Sequence, residues 1–152
     1  MNKYTIEDVV PHQAPMILID SLVSYERESA CCQVKITKNS PFYDNEKQAV
    51  PSYIGCEYMA QSIAAFAGAQ SLDNNGEVVI GFLLGSRKYK ALKPYFPLGV
   101  TLNITVKELY CEESGLRVFE CEISDLAENI YAQANINVFQ PSDATAFINE
   151  NS

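Results

Sequence analysis

The chain has 152 residues, of which 47% are hydrophobic, and its formal net charge at pH 7 is −8. This length and apolar content predict one folded domain with a sizeable core, and they exclude an intrinsically disordered chain. The negative balance would repel phosphate backbones, so we expect no nucleic-acid partner.

Cysteine usage and the N-terminus predict the cellular compartment. The five cysteines are an odd set without Cys-x-x-Cys spacing, which argues against a disulfide framework and against a structural zinc site. The start "MNKYTIEDVVPHQ" lacks the apolar core of a signal peptide, and no apolar run approaches membrane-spanning length. We therefore expect a reduced, cytoplasmic protein with no membrane partner.

The N-terminal third predicts a short helix followed by two strands. "TIED" fits a capping box with Thr5 as the cap and Asp8 in place of the usual Glu, and the helix should end before Pro11. "PMILIDSLVSYE" is then typical of a first strand. "CCQVKITK" alternates cleanly, and the residues predicted to face the core are Cys32, Val34 and Ile36.

A long helix is predicted from about Pro51 to Leu72. The segment is rich in Ala, Met and Gln, and it is apolar all round, as expected of a helix buried on every side. Glu57 is the only charged residue between Gln48 and Leu72. An unpaired buried charge costs several kcal/mol, so a function such as catalysis is one candidate reason for its presence.

The second half of the chain predicts four strands. "VVIGFLLG" is a continuous apolar run, whereas "VTLNITVK", "LRVFECEISD" and "IYAQANINVF" alternate. The tail, residues 141–152, is polar and expected to fray. Two strands, one long helix and four strands predict an α+β fold in which one antiparallel sheet wraps around one central helix.

A basic run interrupts this acidic chain. Arg87, Lys88, Lys90 and Lys93 fall within "SRKYKALK" and are four of the eleven basic residues. They could receive an acidic partner or a phosphate, or they could simply protect a strand edge, since lysines commonly do so. The sequence leaves both interpretations open.

Four motifs together resemble one family. "PHQAPMILID", "NSPFY", "EYMAQ" and "FLLGSRKYKALKPYFPLGVTLNITV" are similar, in the same order, to motifs of hotdog-fold 3-hydroxyacyl-[acyl-carrier-protein] dehydratases. The resemblance runs from about Ile6 to Phe139. The branch it most resembles contains the dehydratase-like proteins of aryl-polyene and related type II polyketide pathways, where "EYMAQ", "GFLLG" and "NVFQP" are similar.

The resemblance implies a single hotdog domain over residues 1–152, paired as a homodimer or with another hotdog subunit. It also implies an acyl carrier protein as partner, an acyl chain in a tunnel beside the helix, and no cofactor or metal. Glu57 matches the catalytic acid of the family. One departure is serious, because the family's catalytic His lies in a Gly-His-Phe-Pro motif ahead of the helix, and "NSPFYDNEKQAVPS" has no His.

Dehydration of a 3-hydroxyacyl thioester needs a base for the α-proton and an acid for the departing hydroxyl. Glu57 is the candidate acid, with Gln61 one turn later to orient it and to contact substrate; a partly solvated carboxylate favoured by the helix dipole is the alternative. His12, the only histidine, is either a base facing the site or a residue that pins the turn. Asp44 could in principle serve as base, but a place in a solvated loop is the favoured interpretation. Lys88, Lys90 and Arg87 are the candidate contacts for a carrier-bound substrate.

Three functions remain open at this point. The first is a lyase that removes water from a carrier-bound 3-hydroxyacyl chain in fatty-acid or polyene biosynthesis. The second is a hotdog thioesterase, because such enzymes can work with one helix carboxylate and no histidine. The third is a non-catalytic subunit that partners a complete dehydratase. The groups within reach of Glu57 should distinguish them.

Overall fold

The computed structural model describes residues 4–10, 16–76 and 83–139, with residues 83–87 described by their backbone alone. Its elements, in chain order, are α1 (Ile6–Val9), β1 (Ser21–Tyr25), β2 (Ser29–Lys35), β3 (Ala49–Pro51), a 3₁₀ turn (Ser52–Ile54), α2 (Gly55–Asp73), β4 (Leu83–Ala91), β5 (Tyr95–Pro97), β6 (Thr101–Cys111), β7 (Leu116–Asp125) and β8 (Ile130–Phe139).

Six strands form one antiparallel sheet in the order β1-β2-β6-β7-β8-β4. The central helix α2 lies over β1, β2, β6 and β7. This is the predicted sheet around one helix, with two strands before it and four after it. A second sheet of only two strands, β3 and β5, was not predicted. It flanks the start of α2, since β3 runs directly into the 3₁₀ turn.

Alternation along the strands sets which side chains meet the helix. On β2, Cys32 and Val34 are buried, and their neighbours on β6 in the ladder, Ile104 and Leu102, are buried as well. Side chains of successive residues point to opposite faces of a sheet, so each of these strands gives one apolar face to the core and one polar face to solvent. The predicted inward residues of β7, which are Phe119, Cys121 and Ile123, are all buried.

The short helix α1 docks on the far half of α2. The predicted cap is present, because the Asp8 carboxylate accepts a hydrogen bond from the Thr5 N–H at 3.0 Å. Val9 packs directly onto Gly68, where an added Cβ would lie 1.9 Å from the Val9 carbonyl oxygen. The Tyr4 hydroxyl donates to Asp73 at 2.6 Å and ties the N-terminal segment to the end of α2.

The prediction that α2 is buried on every side is wrong at its start. Met59, Ala65 and Phe66 are fully buried, as the apolar composition indicates. Tyr53 and Glu57, one turn apart at the beginning of the helical segment, are exposed in the single chain. Composition indicated burial, but it does not distinguish contact with the chain's own core from contact with another subunit.

Three further predictions concern the apolar strand after α2, the C-terminal tail and membrane-spanning segments. The predicted strand "VVIGFLLG" is described only from Leu83 onward, and the tail, residues 141–152, lies outside the described residues. Among the residues that the structure describes, no helix is both long enough and apolar enough to span a membrane.

Candidate active site

Glu57 lies in the first turn of α2 and its side chain reaches the surface of the chain. The expected burial of this carboxylate is therefore absent within one protomer. A carboxylate in the first helical turn interacts favourably with the helix dipole, so its ionised form is tolerated there.

Gln61 links Glu57 to the N-terminal motif. Its side chain is only 1% exposed. The side-chain amide donates to Glu57 Oε1 at 3.4 Å and to the Met16 carbonyl at 2.8 Å, and its oxygen accepts from the Leu18 N–H at 2.8 Å. The i,i+4 contact predicted between Gln61 and Glu57 is thus present. These bonds hold the Gln61 amide in one orientation, in which it contacts both Glu57 and the segment that follows "PHQAP".

The start of α2 is packed tightly from the side of β4 and β5. The Tyr89 hydroxyl donates to the Ser52 carbonyl at 2.5 Å, and the Ser52 N–H donates to the Pro94 carbonyl at 3.0 Å. Phe96 is fully buried, and its ring centroid lies 5.7 Å from that of Tyr58. Burial raises the pKa of Tyr89 to about 12, so its hydroxyl keeps its proton and remains a donor at neutral pH.

Three large apolar side chains are exposed on the N-terminal segment, the loop before β3 and the 3₁₀ turn before α2. Tyr53, one turn before Glu57, is 68% exposed, and Met16, whose carbonyl meets Gln61, is 64% exposed. Phe42, in the loop before β3, is 60% exposed. Tyr53 and Met16 therefore leave apolar surface exposed on the helix-start segment and on the N-terminal segment.

The described loop ahead of the helix contains no histidine, and the carboxylate of Asp44 is hydrogen-bonded within the loop. The Asp44 carboxylate accepts hydrogen bonds from the N–H groups of Glu46 at 2.9 Å and Lys47 at 3.3 Å, so it caps its own turn. The Asp44 backbone also bridges to Ala49. These bonds agree with the interpretation of Asp44 as a loop residue, because its carboxylate stabilises the turn.

Lys88 and Lys90 of the basic run lie on the face of the sheet that points away from α2. Tyr89 points towards α2, and side chains alternate along a strand, so Lys88 and Lys90 point away from α2. They line a surface groove of about 320 Å³ together with Glu120, Glu122 and Gln133. Lys93 is exposed, with its ammonium 5.5 Å from the centre of the Tyr131 ring. Within one chain, therefore, the lysines are not brought together with Glu57.

Two predicted site residues cannot be positioned. His12 lies outside the described residues, and only the backbone of Arg87, on β4, is described. Within the described segments, no group of three or more His, Cys, Asp or Glu side chains could hold a metal ion.

Sequence reasoning missed three contributors to this site. The backbone groups of Met16 and Leu18 bind Gln61, and a backbone contact leaves no residue pattern to find. The third is Tyr89, which was not singled out because it lies within the basic run. A lone aromatic residue between two lysines on a strand indicates a side chain that faces the core.

The sequence matches known proteins across most of its length. A family model described as ApeP-like, ApeP dehydratase, matches residues 4–149. A 3-hydroxyacyl-[acyl-carrier-protein] dehydratase FabZ of Staphylococcus saprophyticus is 32% identical over 106 residues, which cover 67% of this chain and 70% of that protein. The FabZ of Methylobacterium nodulans is 29% identical over 108 residues, covering 68% and 67%.

Solved structures confirm the predicted fold. A structure described as the dehydratase heterocomplex ApeI:P from Xenorhabdus doucetiae aligns with a TM-score of 0.87 at 23% identity, covering 99% of this chain and 100% of that one. The E. coli PaaI protein of the phenylacetic acid degradation operon aligns with a TM-score of 0.61 at 15% identity, covering 78% and 81%. The curved antiparallel sheet around α2 is thus a hotdog fold.

Proposed function

The chain belongs to the ApeP-like dehydratase family, and we propose that it works as one hotdog subunit of a 3-hydroxyacyl-[acyl-carrier-protein] dehydratase. In this reaction a base removes the α-proton of the thioester, and the electron pair forms the double bond between the α- and β-carbons. The β-hydroxyl takes a proton from an acid and leaves as water. FabZ relatives are named for this activity.

One observation carries the proposal. Gln61 contacts Glu57 of "EYMAQ" as well as Met16 and Leu18 of the N-terminal motif, so two motifs far apart in sequence meet at the residue beside the surface carboxylate. A catalytic group works best when neighbours hold its position before substrate arrives. Glu57 is accordingly the proposed acid that protonates the departing hydroxyl.

The open side of the site supports a partner subunit. Tyr53 and Met16 leave a large part of their apolar surface exposed beside Glu57, and β4 forms one edge of the sheet. A second hotdog subunit packed there would cover both side chains and remove water from around the carboxylate, which strengthens electrostatic interactions within the site. The similar ApeI:P structure is described as a heterocomplex, and either a homodimer or a heterodimer fits this surface.

The base is proposed to be His12 or a histidine of the partner. His12 precedes Met16 by four residues, a length of chain that spans at most about 14 Å. The Met16 carbonyl contacts the same amide that contacts Glu57. An imidazole has a pKa near working pH and suits α-proton removal. The competing role for His12 is a hydrogen-bonded turn residue.

The variant His12→Ala separates these roles. If His12 is the base, dehydration should fall by about 10²–10⁴-fold with little change in melting temperature. If it only pins the turn, melting temperature should fall modestly and the folded fraction should keep its activity. Turnover and thermal unfolding measured on the same preparation decide between them, and a partner histidine becomes the candidate base if activity persists.

An acyl carrier protein is the proposed donor of the substrate, with Lys88, Lys90 and Lys93 as contacts. The lysines are exposed in a chain of net charge −8, and a carrier protein would meet Lys88 and Lys90 on the side of β4 that points away from α2. Arg87, which is also on β4, is proposed as a further contact for the carrier protein. Nearby Glu120 and Glu122 reduce the local positive charge, so a modest contribution to association is expected.

Charge reversal tests this contact. The variants Lys88→Glu and Lys90→Glu should slow turnover of carrier-bound substrate at low ionic strength, with a deficit that shrinks as salt screens the charges. Lys107→Glu, on strand β6 away from the β4 edge, is the matched control with the same charge change. Equal turnover rates for all three variants at low salt would show that the lysines do not contact the carrier protein, and would leave protection of the strand edge as their role.

Titration with partner subunits tests the assembly. Dehydration is measured for the purified chain alone and with increasing amounts of candidate hotdog subunits. We expect activity to rise to a plateau at a fixed subunit ratio.

Hydrolysis of the thioester, seen as a carrier thiol without dehydration, would instead assign the site to a thioesterase. A plateau that is unchanged by Glu57→Gln would make this chain a non-catalytic partner.

A further inference from the structure

We infer that Tyr89 is a positioning residue, which holds the start of α2, and with it Glu57, against the edge strand β4. The inference rests on the proposed function, because it is there that Glu57 acts on substrate. Tyr89 donates its hydroxyl hydrogen to the Ser52 carbonyl at 2.5 Å. Ser52 begins the 3₁₀ turn that leads directly into α2, and Glu57 follows it by five residues.

Ser52 is held through both of its backbone polar groups. Its carbonyl accepts from Tyr89, and its N–H donates to the Pro94 carbonyl at 3.0 Å. Tyr89 and Pro94 belong to one continuous stretch of chain, the end of β4 and the turn into β5. A residue bonded on both sides to the same stretch moves with it, so the orientation of the first turn of α2 depends on where β4 lies.

Gly55 makes this approach possible. A Cβ at this position would lie 2.3 Å from the Tyr89 hydroxyl oxygen and 3.0 Å from the Phe96 and Ile123 side chains. Carbon and oxygen atoms do not pack at 2.3 Å, so any larger residue would push the hydroxyl off Ser52. Gly55 precedes Glu57 by two residues, which places the close contact within one helical turn of the carboxylate.

The Tyr89 hydroxyl connects strand β4 to the segment that begins α2. Strand β4 is the last strand of the sheet and pairs with β8 along one side. The side-chain bond from β4 to Ser52 therefore links the helix start to the sheet, in addition to the backbone pairing of β4 with β8. Tyr89 acts through Ser52 and the helix, not on the reacting atoms.

Tyr89→Phe tests the effect on catalysis, in the assembled and active protein. The ring and its packing stay, and the bond to Ser52 is lost. We expect kcat to fall by about tenfold, the rate equivalent of one hydrogen bond, with little change in KM. The matched control is Tyr131→Phe, which loses a longer 3.4 Å bond to Asp125 and keeps its ring against Phe96. Equal kcat values in the two variants would overturn the inference.

A second readout does not need activity. In ¹³C-labelled protein, Tyr89→Phe should shift the side-chain carboxyl resonance of Glu57, whereas Tyr131→Phe should leave it unchanged. An unshifted resonance in Tyr89→Phe would overturn the positioning role even in a protein with no dehydratase activity. An inactive wild type with a shifted resonance would reject the proposed function and keep the positioning role.

A double-mutant cycle tests the contact itself. Alanine ordinarily favours a helix over glycine, so a lower melting temperature for Gly55→Ala would report the close contacts of the new Cβ with Tyr89, Phe96 and Ile123. In the Tyr89→Phe background the oxygen is gone, and the same substitution should lower the melting temperature less. Additive shifts would show that the two residues do not meet as described, and would overturn the inference.

Discussion

Replacing Glu57 with glutamine is expected to lower dehydration by about 10²–10⁴-fold, the usual cost of removing one acid–base group. Glutamine has nearly the same shape as glutamate and can keep the contact with Gln61, so the fold should persist. It cannot give up a proton to the departing hydroxyl, and this is why kcat should bear the loss. The measurement is steady-state turnover of a carrier-bound 3-hydroxyacyl substrate by the assembled protein.

Glu113→Gln is the control for this variant. Glu113 is exposed in the hairpin between β6 and β7 and takes no part in the proposed site. The control removes the same charge, so it should retain the turnover and melting temperature of the wild type. If Glu57→Gln turned over substrate as fast as Glu113→Gln, Glu57 would not be the acid.

Gly68→Ala is expected to have the largest effect on stability. The new Cβ would lie 1.9 Å from the Val9 carbonyl oxygen, which is backbone and has no rotamer to escape into. Helix α1 would have to move off α2, exposing Ile6 and Val9, which are 4% and 0% exposed now. Overpacking of this kind costs about 1–3 kcal/mol or more, or roughly 2–4 °C in melting temperature for each kcal/mol.

The Gly68 substitution should also reduce activity, because α1 leads into the segment that carries His12 and then Met16. The control is Gly76→Ala, where the nearest atom to the new Cβ is the Ser71 carbonyl oxygen at 3.1 Å. Thermal unfolding of both variants should give a much larger loss for Gly68→Ala. A melting temperature equal to that of Gly76→Ala would contradict the docking of α1 on α2.

Period-two patterning explains how much of the fold is predictable. "LRVFECEISD" and "IYAQANINVF" coincide with β7 and β8 as observed, because most of each strand alternates between apolar and polar residues. The three-residue strands β3 and β5 are too short to show any period, and they were not predicted. They form because they pair with each other at the start of α2, a tertiary contact without a local signal.

The candidate site was predictable where it depends on helix geometry. Glu57 stands out as a lone charge, and Gln61 follows at the i,i+4 spacing that places the two side chains together. The exposed apolar side chain of Tyr53 was assigned to a buried helix, because an apolar residue gives the same sequence signal whether it meets the core or another subunit. The partners of Gln61 on the N-terminal segment are backbone atoms, which any residue could supply.

The most direct test of the dehydratase assignment is the mass of the carrier-bound acyl chain after incubation with the assembled protein. We predict that a 3-hydroxyacyl chain becomes lighter by one water while still attached to the carrier, and that Glu57→Gln in the same assembly leaves the mass unchanged over the same interval. An acyl chain that keeps its mass with every partner subunit, or that is released from the carrier by hydrolysis, would contradict the assignment.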